Sequence, residues 1–557
     1  MRATSSTAAP APYRRVEGLH VLRVSGDDYE MGYQHGAILK QAIRRGPVPY
    51  FERYLERMLG AGAGPRAGKL LAALLGQTVG RRIAAGFPRE AREALNGLAD
   101  GAELSRGALL RAVTMPESYL WVLRRLMDLR DLDAAPRHGV PLLGCTSAIA
   151  WGDATRDGKL LHGRNFDYQG VGAWDREQAV VFHRPSNGQP YVSVSAAGIL
   201  FGGITAMNAS GLTLAVHQHM ASRDLRLGGV PIGVTGDQVM RHARSLDDAE
   251  RILDAHRPNG CWTYLIASAR ERAVLVYEVS PARRASFRAE GDTFGYSNIF
   301  VDSELAKSEL HLYPSHWRNN TARYRRVNQR LASERGRIDA DGIAAMLGDL
   351  GDGCRLANAI AMPLTVASVV FAPDDRVVYV ATGRAPVSTR PYLAFELDGE
   401  TARPDLPALR GGVPADLRAS EALDAYRDAY EAYFDDGDLP RARRHLDDAL
   451  ARAPEEAVYW FVAGLLALHA GDPHAAEAAL DRAIERGHAD GERRAAFHLW
   501  RARARDAGGR HADAIGDYRA TAGGDAAVRR AARRGLVAPW RPRRFAIEFA
   551  LGDVPTP

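Results

Sequence analysis

Leu143-Gly144-Cys145-Thr146-Ser147 and the nearby Gly163-Arg164-Asn165-Phe166-Asp167-Tyr168 decide the fold. At Cys145 the hydrophobic spacing changes from a period of about 3.6 to one of about 2. Before it, residues 26–135 read as helices, over 29–43, 50–59, 67–80, 88–99, 106–112 and 116–130. After it, 147–151 and 160–167 alternate like strands, and Asp157-Gly158 between them is a hairpin signal. Cys145 therefore stands where a helical segment gives way to a sheet.

The strand pattern continues over 179–183 and 191–195, around Pro185-Ser186-Asn187-Gly188, and over 212–219, 263–268, 273–279 and 285–289. Helical patterns near 234–255 and 318–350 interrupt it. A last hairpin, 366–371 with 377–381, turns at Pro373-Asp374-Asp375. Strands joined by tight turns build antiparallel sheets, and the helices must cover them, which predicts a layered α+β body.

The 557 residues are too many for one core. The expected division is a flexible terminus over 1–25, a helical segment over 26–144, a strand-rich segment over 145–400, a Pro/Gly-rich linker over 401–418, helical repeats over 419–525 and a basic tail over 526–557 with a strand at 545–551. In the repeats, Gly437 and Gly471 are 34 residues apart, and Ala442 and Ala449 recur as Ala476 and Ala483. Gly509, Ala514 and Tyr518 mark a third, degenerate copy. Small residues at these positions let the helices of a hairpin approach closely, and the period resembles tetratricopeptide repeats.

Basic residues number 73 and acidic ones 67, spread along the chain, so the charge of +6 is not a nucleic-acid footprint. No apolar run reaches the ~18–20 residues of a membrane helix. The first residues lack the pattern of a secretory signal, so a cytoplasmic protein is expected. The three cysteines, Cys145, Cys261 and Cys354, form neither a disulfide framework nor a zinc motif. Cys261 and Cys354 read as small buried apolar residues.

Cleavage between Gly144 and Cys145 gives a residue that carries both a thiol and a free α-amine. That amine titrates near ~8, so it can act as a base at neutral pH, and the thiol is the nucleophile. Gly144 leaves its carbonyl uncrowded and tolerates a strained turn. Arg164 and Asp167 lie on the neighbouring strand, where a cation beside the thiol would favour thiolate and a carboxylate beside the amine would orient it; the other reading of an Arg and an Asp three apart is a surface pair. Residues three apart face opposite sides of an ideal strand, so a bulge or the strand's end is expected to re-aim one of them.

Residues 26 to about 397 resemble the cysteine N-terminal-nucleophile (Ntn) hydrolases, and the isopenicillin-N acyltransferase-like family above all. Bile-salt hydrolases and penicillin V acylases are more distant. The resemblance rests on Tyr29-Glu-Met-Gly-Tyr-Gln-His-Gly36, on Gly144-Cys145-Thr146 with Gly163-Arg-Asn-Phe-Asp167, on Met207-Asn-Ala-Ser-Gly-Leu212, and on Thr365-Val-Ala-Ser368 with Val377-Val-Tyr-Val-Ala-Thr-Gly383. It implies a four-layer αββα sandwich, cut autocatalytically at Gly144–Cys145, followed here by the all-α repeats. It also implies an acyl–Cys145 intermediate formed from an acyl-amide or acyl-thioester. No cofactor and no metal are expected: His217 and His219 share a strand face and could be a metal pair, but with no acidic or cysteine partner in view they read as pocket lining. Arg164 and Asp167 carry over as support for thiol and amine, Asn298 as an oxyanion donor and Arg323 as a distal arginine. Gln218 falls where the bile-salt branch has its second oxyanion residue. Asn208, His217 and His219 are candidate pocket residues. The repeats offer a surface for a protein or peptide partner, or pack on the body and aid assembly. Two other readings are an inactive scaffold whose repeats bind a partner and a phospholipase-like ester hydrolase.

Overall fold

The computed structural model describes residues 13–541 apart from 61–63, 115–116, 119, 122–143, 220–223, 225, 310–313, 352–357, 489 and 525. Cys354, the strand expected at 545–551 and most of the helix expected over 116–130 lie outside the described residues.

Sixteen strands are present among the described residues. The first eight are β1 (Tyr13–Val16), β2 (Leu19–Gly26), β3 (Gly144–Gly152), β4 (Gly158–Asp167), β5 (Gln178–Pro185), β6 (Tyr191–Ala196), β7 (Thr205–Asn208) and β8 (Leu212–His219). The others are β9 (Cys261–Ser268), β10 (Ala273–Val279), β11 (Arg284–Arg288), β12 (Thr293–Tyr296), β13 (Thr365–Ala372), β14 (Val377–Ala381), β15 (Tyr392–Glu396) and β16 (Thr401–Ala402). They form a nine-stranded sheet, β1-β2-β5-β6-β7-β8-β9-β10-β11, and a seven-stranded sheet, β12-β3-β4-β13-β14-β15-β16. The pairing is antiparallel except between β2 and β5.

Each sheet buries two faces, so strands such as β3, β6 and β8 are buried along nearly their whole length and not only on alternate residues. Between the sheets, Val180, Phe182, Val192 and Val194 meet Val369, Phe371, Val378 and Val380. The nine-stranded sheet packs outward on the Asp28–Ile43 and Arg89–Ala102 helices through Leu22 and Val24, and on the Ile232–His242 and Leu246–Asp254 helices through Leu214 and Tyr264. The seven-stranded sheet packs Ala148, Ala150 and Val370 on the Pro314–Glu334 and Ala340–Leu347 helices. The body is thus mixed α+β, with two largely antiparallel sheets and many helices.

Two expectations change. Residues 13–25, read as part of a flexible terminus, form β1 and most of β2, because Leu19, Val21, Leu22 and Val24 are buried against the sheets. The stretch 401–418, read as a linker, lies on the body. β16 extends the seven-stranded sheet, Leu409 and Tyr392 exchange backbone hydrogen bonds at 3.0 Å, and Asp341 accepts from the Arg410 and Gly411 N–H groups at 2.7 and 2.8 Å.

Beyond it, the Leu417–Phe434 and Leu439–Arg452 helices form a hairpin, as do Ala457–His469 with Pro473–Arg486 and Gly491–Ala507 with His511–Ala520. Gly437 and Gly471 end the first helix of their hairpins at φ +66° and +80°, a conformation glycine adopts freely. Ala442, Ala449, Ala476 and Ala483 are buried where the helices meet. The first hairpin shares one core with the body, in which Tyr50, Phe51 and Tyr54 join Tyr426 and Tyr430. Arg427 Nη1 donates to the Ala385 carbonyl at 2.6 Å and the Tyr430 hydroxyl to Gln169 at 2.9 Å.

The Tyr29–Gly36 motif has a packing explanation. Asp27 and Glu30 close a capping box that starts the Asp28–Ile43 helix. Gly32 and Gly36 then face Gly97 and Gly101 of the Arg89–Ala102 helix, and the two backbones touch. A methyl group on any of the four would overlap a carbonyl, of Ala94, Leu98, Tyr29 and Tyr33 in turn. Gly32→Val or Gly101→Val is therefore expected to cost about 1–3 kcal/mol by overpacking, read as a lower denaturation midpoint. Gly516→Ala, where nothing lies within 4 Å, serves as the control and should not lower it.

Candidate active site

β3 and β4 pair without a break from Gly144↔Asp167 through Cys145↔Phe166 and Ser147↔Arg164 to Ala150↔Leu161. Cys145, Phe166, Ser147 and Arg164 therefore share one face of the sheet, while Gly144 and Asp167 share the other. No bulge re-aims either helper. Arg164 addresses the cysteine side chain from one face, and Asp167 addresses the Gly144–Cys145 backbone from the other. The irregularity lies on the next strand, between Thr365 and Ala367 of β13, where Thr365 pairs with Asp167.

Arg164 Nη2 lies 3.5 Å from Cys145 Sγ and donates to the Val216 carbonyl at 2.5 Å. Its guanidinium stacks 4.9 Å from the Phe166 ring centre, and its Nε and Nη1 have no hydrogen-bond partner among the described residues. Burial pushes the Cys145 thiol up, and the Arg164 charge pulls it back down. Asp167 Oδ1 accepts from Thr365 Oγ1 at 2.6 Å. Its Oδ2 has no partner among the described residues and lies against Gly144. Burial raises this carboxyl to about 6, against the opposing pull of Arg323, Thr365 and Arg164.

Gly144 is not among the positive-φ residues, so backbone freedom is not what the site takes from it. A methyl group there would meet Asp167 Oδ2 at 3.0 Å, Arg323 Nη2 at 3.1 Å and Met362 Sδ at 3.3 Å. What glycine supplies is room.

Asn298 follows β12, which pairs with β3 and brings the asparagine to Cys145. Its Oδ1 accepts from the Cys145 N–H at 2.6 Å and its Nδ2 donates to the Gln218 carbonyl at 2.7 Å. Its Oδ1 thus positions the cysteine nitrogen, and one of the two Nδ2 hydrogens is held by the Gln218 carbonyl. Arg323, on the Pro314–Glu334 helix, donates through Nη1 to the Cys145 carbonyl and to Thr146 Oγ1, both at 2.8 Å, and through Nη2 to Asn320 at 2.6 Å.

A cavity adjoins Cys145, with Phe51, Phe166, Tyr168, Trp174, Ile204 and Trp262 among its walls. A concave, mostly apolar and aromatic lining with a few polar groups is the character of a small-molecule pocket. Along β8, Val216 and Gln218 face it and the alternate residues do not. His217 instead meets Ser147 Oγ through Nε2 at 2.9 Å. His219 is held by Glu309 and Thr263, each at 2.8 Å. Asn208 closes the turn before β8, accepting from the Ser210 and Leu212 N–H groups. These three candidate pocket residues therefore lie outside the cavity: His217 and His219 share a strand face, but the wrong one. Gln218 lines it, with its Nε2 unpartnered among the described residues.

Sequence reasoning passed over Glu117, Trp174 and Trp262. All three line the cavity, and each has a polar atom without a partner among the described residues: Glu117 Oε1 and the two indole Nε1. A glutamate in a helical pattern reads as solvated, so no signal marked it.

The family model of acyl-coenzyme A:6-aminopenicillanic acid acyl-transferase matches residues 154–385. Arg164, Asp167, Gln218, Asn298 and Arg323 lie inside the match, and Cys145 precedes it. A protein of Archaeoglobus fulgidus, described as uncharacterized, is 27% identical over 281 residues, which is 47% of this chain and 44% of that protein. The chain thus spans less than half the length of that relative. Among the described residues no helix is long and apolar enough to cross a membrane.

Because Arg164 is the nearest cation to a thiol that burial otherwise keeps protonated, Arg164→Leu is expected to slow alkylation of Cys145 by iodoacetamide at pH 7, about tenfold per unit by which the thiol moves. Mass mapping of the Cys145 peptide reads the rate. Equal rates in the two proteins would remove Arg164 from control of the thiol.

Proposed function

We propose that this chain is an Ntn-type cysteine acyltransferase or amidohydrolase, a four-layer αββα sandwich activated by cleavage of its own Gly144–Cys145 bond. One observation carries the reading. The two functional atoms of Cys145 have separate attendants, Arg164 at the thiol and Asn298 at the nitrogen, with the unfilled Asp167 oxygen beside the bond to be cut.

In the first step the Cys145 sulfur attacks the Gly144 carbonyl carbon. The C–N bond breaks, the nitrogen takes a proton and becomes the α-amine, and water then hydrolyses the thioester. In turnover the α-amine accepts the thiol proton while the sulfur attacks the acyl carbon, and the proton passes to the departing amine. Water or an amine then takes the acyl group from the sulfur. The free Gln218 Nε2 supports a role as oxyanion donor there. Asn298 and Arg323 act as positioning residues that hold the Cys145 nitrogen and carbonyl.

The helical hairpins fit a packing role better than a docking one. Arg427 and Tyr430 of the first hairpin are spent on the body, and Asp424 holds Arg390 at 2.5 Å. A tetratricopeptide-like array that braces the catalytic body is the reading we favour.

Purified protein is expected to resolve into one fragment ending at Gly144 and one beginning with Cys145, by intact mass and N-terminal sequencing. Cys145→Ala should stay whole and inert toward acyl-amides and acyl-thioesters; turnover by that variant would falsify the assignment. Asp167 is needed ionised to attend the amine. Its carboxyl is raised to about 6, so it is charged above that pH and neutral below. Cutting should fall as pH drops through about 6, and a cutting rate that stays level down to pH 5 speaks against Asp167. Comparing an acyl-amide with and without an added amine separates transfer from hydrolysis.

A further inference from the structure

Glu117 is a carboxylate in the wall of a mostly apolar cavity, whose other carboxylate, Asp167, lies at the Gly144–Cys145 bond. It is 2% exposed. Its own backbone N–H and that of Ile232 reach the carboxyl group, but Oε1 has no partner among the described residues. A buried acid without a counter-charge is costly and resists ionising; burial holds this one at about 7. Nothing in the chemistry assigned to Cys145 uses it. A side chain of this kind gains most from a ligand that brings its own donor.

The other unpartnered atoms give that ligand a direction. Gln218 and Trp262 are cross-strand partners on β8 and β9, so the Gln218 Nε2 and Trp262 Nε1 donors come from neighbouring positions on one face of the sheet. Both are open to an acceptor such as a carbonyl oxygen. Glu117 is an acceptor, open to a donor. Glu117, Tyr168 and Cys145 all line this cavity, so an extended chain lying in it can reach toward both the carboxyl and the thiol. Phe51, Trp174 and Phe201 supply apolar wall around that path.

We propose that the cavity selects an acyl group with an apolar chain that ends in a hydrogen-bond donor, an ammonium above all, and that Glu117 receives that end. The ligand class is an ω-amino acyl amide or thioester. Glu117 is a specificity residue here, remote from the bond being cleaved. The proposal rests on the acyl-cysteine reading only for which end of the ligand faces Cys145.

Binding tests it without turnover. Full-length Cys145→Ala is titrated calorimetrically with ω-amino alkanamides of three to seven carbons and with the matching alkanamides that end in methyl. One amino chain length is expected to bind at least about tenfold more tightly than its methyl counterpart, the scale of a buried charge-assisted hydrogen bond. Adding Glu117→Leu should abolish or reverse that preference, and Glu117→Gln should leave an intermediate one. Circular dichroism of Glu117→Leu should match that of its parent, so that a lost preference reads the cavity and not the fold. No amino preference at any length, or a preference that survives Glu117→Leu, overturns the proposal. If the acyl-cysteine reading alone is wrong, the binding preference persists while the unsubstituted protein turns over none of these amides.

Discussion

Two guanidinium groups and one carboxylate are buried around a single peptide bond, and the rest of the catalytic body keeps them there. Arg164 and Arg323 are at most 1% exposed and Asp167 is fully buried. Ions in such a place cost several kcal/mol each unless their hydrogen bonds are replaced. Arg323 is well supplied, by Asn319, Asn320, Thr146 and the Cys145 carbonyl. Arg164 is not: one carbonyl, one sulfur and an aromatic face are its described company. The site therefore holds one more positive charge than negative. An ionised Cys145 would restore the balance, which is how a thiol raised by burial could serve as the nucleophile proposed above. The sheets on either side matter because they keep water from doing the same.

The unbroken β3–β4 register turns this charge arrangement into a division of labour. One strand presents its odd and even residues to different compartments, so the thiol and the backbone nitrogen of one cysteine meet different chemistry. Arg164 never competes with Asp167 for the same atom. A bulge that brought both to one face would pair them with each other and leave Cys145 unattended.

Much of this was legible in the sequence. The change of period at Cys145 marks the start of β3, and Asp157-Gly158 marks the turn into β4, because both depend on local chemistry. β1 and β2 were missed because the run 19–24 is short, and its burial comes from β5, far away in sequence. Alternation along β8 correctly put His217 and His219 on one face but could not say which face meets the cavity. The direction of the Asn298 amide is a tertiary fact as well, set by the Cys145 N–H and the Gln218 carbonyl. Glu117 left no trace, since a buried glutamate and a solvated one look alike in a helical pattern.

β2 lies between β1 and β5 in the nine-stranded sheet, parallel to β5 from His20↔Ala179 to Gly26↔Pro185. It belongs to the stretch before Gly144, and β5 to the stretch after Cys145. Scission of that bond would leave the two pieces stitched together near one edge of a single sheet, with no release of either. What it would alter is the molecularity of unfolding. An uncut chain melts at a temperature independent of its concentration, whereas a cut one becomes a two-chain complex whose melting point rises with concentration and whose halves must find each other again after denaturation.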